Sequence, residues 1–158
     1  MCFLKGSKIL CEDGYQLIEC LKPGCLVKTF KHGFISLEKI KRETIKINFP
    51  ELGQLYCVKI ENYPDLTEDL VITAGHSILI DKLSEPQRVL MVSNHGCVFV
   101  TETKYRLPIY LDERSGVYGG IGTFEIYHLC LDNPDPYGNY GIYANGILVE
   151  SSCKRNVI

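Results

Sequence analysis

Four places in this chain hold side chains able to make or break bonds. Cys2 stands directly behind the first residue, in MCFLKGSKILC, Thr73 and His76 lie in TAGH, Asn94 and His95 are adjacent, and His128 lies in IYHL. A free thiol is only a few per cent thiolate at neutral pH, yet it is intrinsically very nucleophilic. An imidazole can take or give a proton in the same pH range. Chain ends are ordinarily poorly ordered and tolerant of change. A cysteine placed there is either incidental or marks the peptide bond before it as the reacting bond. The other positions have plainer readings. Thr73 in LVIT fits a β-branched strand end, a lone histidine is commonly just hydrogen-bonded or exposed, and His32 in the KHGF turn is read as solvated.

The elements that must position these groups are short strands. ILC at Ile9 to Cys11 runs into the turn signal Asp13-Gly14. QLIECL, the Lys22–Gly24 turn KPG and LVKTF come next. TIKINF, LYCVKIE, DLVITAG, SILID, RVLMV, CVFVT, RLPIYL and FEIYHLCL continue at spacings near ten residues, the pattern of an all-β body. One short helix is expected near SLEKIKR, with Ser36 as N-cap. ERSGVYGGIG (residues 113–122) and DNPDPYGNYG (residues 132–141) read as loops. A length of 158 residues suits one domain, and no tandem repeat or linker interrupts it.

Composition removes several function classes. With 46% apolar and 23% charged residues and a formal net charge of -2, nothing points to nucleic acid or to an anionic membrane surface. The only basic cluster, KIKR at Lys39 to Arg42, reads as a solvated face. No apolar run approaches a membrane span, and Lys5 and Lys8 interrupt any signal-peptide core. The chain is therefore expected in a reducing cytoplasm, unless it follows the targeting of a longer precursor. Eight cysteines contain no CxxC pair, so no metal site is expected. All but Cys2 read as small buried hydrophobes kept reduced.

Several segments in this order carry a resemblance. CFLKGSKIL opens the chain, IECLKPGCLV comes second, DLVITAGHSILI lies in the middle, and IYHLCLDN with YGIYANGILVESS closes it. Together they resemble the Hint family, the self-processing modules of Hedgehog proteins and inteins, over residues 1–152 with a short tail at 153–158. The resemblance implies an all-β, horseshoe-like fold of pseudo-two-fold β subdomains with at most one or two short helices, and both chain ends near one cleft. It also implies an N-to-S acyl shift in which Cys2 attacks the preceding carbonyl and converts the amide to a thioester, with no cofactor. His76 would protonate the leaving nitrogen, Thr73 would hold the scissile peptide, and His128 would act as base or acid. Asn145 and Glu150 are weaker candidates near the cleft.

The chain also departs from the family pattern. Inteins generally end in His-Asn, whereas ANGILV here is followed by Glu150-Ser151-Ser152, so asparagine cyclisation and full splicing are not expected. That ending, with the YHL motif, resembles a subset of viral and bacterial Hint modules. His128 stands where many inteins have an aspartate, and Cys25 replaces the acidic residue usual after the PG turn. Six residues after Ser152 leave no room for a sterol-recognition region. The expected substrate is a polypeptide fused before Cys2, the acceptor water or a small thiol or amine, and the working form a monomer. Two rival readings remain: an inactive Hint-fold interaction module, and a trans-acting hydrolase using Cys97 with His95 or His128.

Overall fold

The computed structural model describes residues 1–157. Their strands are β1 (Phe3–Leu4), β2 (Lys8–Cys11), β3 (Gly14–Leu17), β4 (Leu26–Lys28), β5 (Phe34–Ile47), β6 (Leu55–Val58), β7 (Leu70–Thr73) and β8 (Ser77–Ile80). The single α-helix among them, α1 (Glu85–His95), comes next. After it run β9 (Val100–Thr101), β10 (Lys104–Pro108), β11 (Gly116–Val117), β12 (Gly122–Leu131), β13 (Gly141–Ala144) and β14 (Ile147–Glu150). The strands form one open antiparallel sheet in the order β11-β6-β7-β1-β12-β5-β4-β2-β13-β14-β8-β10-β9, with β3 on β2. The all-β architecture expected from the sequence is thus the one observed.

The long pair β5–β12 is the spine. It runs in register from Gly122 opposite Ile47 to Cys130 opposite Lys39, then shifts by a bulge so that Leu131 faces Leu37. Ile9, Val27, Leu70, Ile72, Ile78, Leu107 and Val149 pack the main core. A smaller cluster of Cys2, Ile47, Leu55 and Ile126 sits beneath the chain start. Fully burying one such aliphatic side chain contributes roughly 1.5–3 kcal/mol.

Three expectations are corrected. SLEKIKR is not a helix; it lies inside β5. Its charged residues surround the buried Leu37 and half-buried Ile40, and β12 supplies the partner. Conversely, RVLMV is not a strand; it lies in α1. Ser84 and Gln87 form a reciprocal capping box, Pro86 sits in the first turn, and Gly96 ends the helix at φ 80°. Of CVFVT, only Val100–Thr101 forms strand.

The Asn145-Gly146 turn joins β13 to β14. Both residues have positive φ, 48° and 96°, as a two-residue hairpin of the primed type demands. Residues 153–157 are packed rather than free. Cys153 and Val157 are buried, and Lys154 pairs with Glu38 and Asp132.

Candidate active site

Sheet register builds the site. Strand β1 lies between β7 and β12, with Phe3 opposite both Ile72 and Tyr127. In antiparallel ladders the residue before Phe3 must then face the residues after Ile72 and Tyr127, which are Thr73 and His128. A slip of one residue would present Ile72 and Tyr127 instead. The contacts obey that geometry. The Cys2 amide donates to Thr73 Oγ1 at 3.0 Å, and the Thr73 amide donates to the Cys2 carbonyl at 3.1 Å. On the other side, Cys2 Sγ lies 3.0 Å from His128 Nε2 and 3.4 Å from Nδ1.

Cys2 is buried, with 5% of its surface exposed. Burial raises the thiol pKa, the Met1 ammonium pulls the other way, and the Glu43 charge adds to the rise. Glu43, on β5, accepts from His128 Nε2 at 2.7 Å and pairs with Lys41 at 3.0 Å. Ser152 Oγ donates to the carbonyl of Met1, which precedes Cys2, at 3.3 Å. The Ser152 amide bonds the Leu129 carbonyl at 2.9 Å, so the end of the chain crosses beside β12 next to its beginning.

His76 closes the tight turn after β7 and is completely buried. Its amide donates to the Thr73 carbonyl at 3.0 Å, and its ring meets Phe3 edge-on. Both ring nitrogens face carbonyl oxygens, Nε2 that of Glu150 at 2.7 Å and Nδ1 that of Cys2 at 3.3 Å. A neutral ring has one N–H, and the shorter contact to Glu150 claims it. Desolvation, then the Met1 ammonium, push the His76 pKa down to about 4. In the resting state Nδ1 therefore faces the Cys2 carbonyl without a proton. The Cys2 nitrogen, which the family resemblance pairs with His76, is bonded to Thr73.

Glu150 and Asn145 take different places. The Glu150 carboxylate is buried beneath β8, accepting from Ser77 N at 3.0 Å and Asn139 Nδ2 at 3.2 Å, with Arg106 Nε at 3.5 Å. Burial nonetheless raises its pKa. Its backbone carbonyl, not its side chain, touches His76. Asn145 accepts from the Lys8 amide at 2.8 Å and donates to the Asp69 carbonyl at 2.9 Å, tying the hairpin turn to β2 and to the residue before β7. Cys97 is exposed beyond α1, and His95 is bonded to Tyr110. Glu43 is one residue that sequence reasoning missed, as are Ser152 and Asn139. In the sequence Glu43 is one charge among many in KIKRETIKI, and only strand pairing shows that it faces His128.

Among the described residues, Cys2, Glu43 and His128 bring three metal-type donor atoms within 4.8 Å of one another. The Cys2–His128 and His128–Glu43 hydrogen bonds already account for that approach.

An open antiparallel sheet that draws both chain ends around one buried cysteine defines the class as a Hint-type domain. Residues 1–156 match the family described as the Hint domain, and the chain belongs to that family. No curated protein matches the sequence. Solved structures with a similar fold include the gp41-1 intein, at 14% identity and TM-score 0.51, covering 94% of this chain and 98% of that one. A bacterial intein-like domain from Clostridium thermocellum matches at 13% and 0.52, covering 96% and 98%. A DnaB intein from Synechocystis matches at 16% and 0.50, covering 96% and 99%. No helix among the described residues is long and apolar enough to cross a membrane.

Proposed function

We propose that this domain cleaves the peptide bond before Cys2 in its own polypeptide. The carrying observation is that each reacting group of that bond has its own partner. The sulfur meets His128, the nitrogen meets Thr73, and the preceding carbonyl oxygen meets Ser152. Cys2 Sγ attacks the preceding carbonyl carbon through a five-membered ring, so that intramolecular geometry replaces an encounter. His128 takes the thiol proton. Ser152 Oγ donates to the oxygen as negative charge collects there, a preorganised interaction that lowers the barrier. The C–N bond breaks, a C–S bond remains, and the freed nitrogen receives a proton from His76 once that ring, neutral at rest, has itself been protonated on Nδ1. The proton taken by His128 balances the one given up.

Thr73 holds the scissile N–H in place, and the backbone carbonyl of Glu150 fixes the His76 ring. The thioester then passes to water or to a small thiol or amine. No asparagine stands at Glu150-Ser151, and the Ser151 hydroxyl is engaged in accepting from the Tyr140 amide. Full splicing is not part of this reading. A test protein fused before Cys2 is the direct experiment, with products weighed by intact mass with and without dithiothreitol. Release from the parent chain and none from Cys2→Ala supports the reading; equal cleavage by Cys2→Ala overturns it.

A further inference from the structure

The Cys2–His128 contact has a third member. Across the β5–β12 spine, Glu43 faces Ile126 and Lys41 faces His128. Residues two apart on a strand share a face, so Glu43 is the diagonal neighbour of His128, within reach of a long side chain. The reach is made, with Glu43 Oε2 2.7 Å from His128 Nε2. Two hydrogen bonds compete for that nitrogen, because Cys2 Sγ lies 3.0 Å from it as well. A carboxylate only accepts, so it claims the Nε2 proton. Nδ1, 3.4 Å from Cys2 Sγ, is then left as the bare acceptor for the thiol proton.

We propose that Glu43 is the positioning residue of this site, fixing the tautomer and ring plane of His128 so that Cys2, His128 and Glu43 act as a thiol–imidazole–carboxylate relay. The inference rests on the reading of Cys2 as nucleophile. In the step it serves, the proton leaves Cys2 Sγ for His128 Nδ1 while the Nε2 proton stays on Nε2, held by Glu43. The imidazolium formed is paired with the carboxylate. The His128 contact, then Lys41, hold the Glu43 carboxyl below its ordinary range. The charged groups facing this pair are Lys41 from β5, the Cys2 thiol from β1, and beyond them His76 and the Met1 ammonium. Glu43 is 41% exposed at its side chain, and an ion pair so exposed adds little stability. What it supplies is orientation.

The test compares Glu43→Ala and Glu43→Gln with the parent and with Glu125→Gln, a carboxylate on β12 engaged with Lys5 and Arg42. Release of a fused test protein is timed at a single pH. Imidazole ¹H–¹⁵N spectra of the unfused chain report the His128 tautomer. A positioned base contributes roughly 10²–10⁴-fold, and Glu43→Ala is expected to forfeit at least about tenfold of it. Its Nε2–H tautomer should no longer dominate. Glu43→Gln can still accept from Nε2, so it should keep the tautomer while losing only part of the rate. Glu125→Gln should match the parent. Parent rate and parent tautomer in Glu43→Ala would overturn the proposal. Were the parent fusion inert, the functional reading would fall, and the tautomer would still decide the role of Glu43: its survival in Glu43→Ala refutes that role, and its loss supports it.

Discussion

The burial of His76 should make the stability of this domain depend on acid. The ring is completely enclosed, and desolvation first, with the Met1 ammonium second, lowers its pKa from 6.5 to about 4. In the unfolded chain the same ring titrates near its ordinary value. Between these two values the unfolded state binds the extra proton, so stability rises with pH across that window and is lost as pH falls from about 6.5 toward 4. At ~1.4 kcal/mol for each tenfold in proton affinity, the loss is about 3 kcal/mol. Glu150 works in the opposite sense. Its raised pKa means that the folded state binds the extra proton above pH 4.5, so its contribution falls as pH rises through that range. Comparing two chains that both keep Glu150 removes this second effect. Urea unfolding of Cys2→Ala and of Cys2→Ala/His76→Gln, measured every half unit from pH 4 to pH 7.5, is the assay. The first should lose about 3 kcal/mol more than the second on acidification. Parallel curves would show that His76 is not held neutral and would remove the physical basis for its resting state. Blocking the ammonium by an upstream fusion should shrink the difference, since part of the depression comes from that charge.

Removing the hydroxyl in Thr73→Val leaves the Cys2 amide without its acceptor. It should cost about 1 kcal/mol in urea unfolding and slow release of a fused protein, by less than the roughly hundredfold or more expected for His76→Ala. Gly146→Ala should destabilise by more than ~1 kcal/mol, because the position has φ 96° and an added Cβ would lie 2.3 Å from the Asp65 carbonyl oxygen; thermal unfolding measures it. With proteins fused at both ends, mass spectrometry should find the upstream protein released and the downstream fusion uncut. A ligated product lacking the residues between Cys2 and Glu150 would restore true splicing.

Strand chemistry is legible in the sequence where pattern and turn agree. The Asp13-Gly14 and Asn145-Gly146 dipeptides mark hairpins that the structure contains. Thr73 ends a strand, and the order of segments from Cys2 to Ser152 carries the family. RVLMV misleads because five apolar-rich residues look alike in helix and strand. The deciding signals are its flanks, Ser84 with Gln87 and the terminal Gly96. SLEKIKR misleads because Ser36 resembles a cap, while the bulge opposite Cys130 breaks the alternation at the position where a strand would have declared itself. Glu43 and Asn139 are not legible, since their partners lie 85 and 11 residues away and depend on register rather than composition.

Placing these groups on or beside strands instead of mobile loops would constrain the fate of the proposed thioester. Thr73, Cys2 and His128 lie side by side at one level of the sheet, on β7, just before β1 and on β12, so their spacing is set by backbone hydrogen bonds rather than by loop conformation. The same sheet keeps the sulfur enclosed, flanked by β7 and β12 and resting on Ile47, Leu55 and Ile126. A thioester formed there is sheltered on its sheet side, and an acceptor must approach from the side of Met1 and Ser152. Small nucleophiles satisfy that restriction better than bulky ones, so release should quicken with a compact thiol and proceed slowly with water alone. Ser152 already occupies that approach with its oxygen near the Met1 carbonyl. Its hydroxyl can steady the developing charge, or accept the acyl group itself as an ester that has no asparagine at Glu150-Ser151 to resolve it.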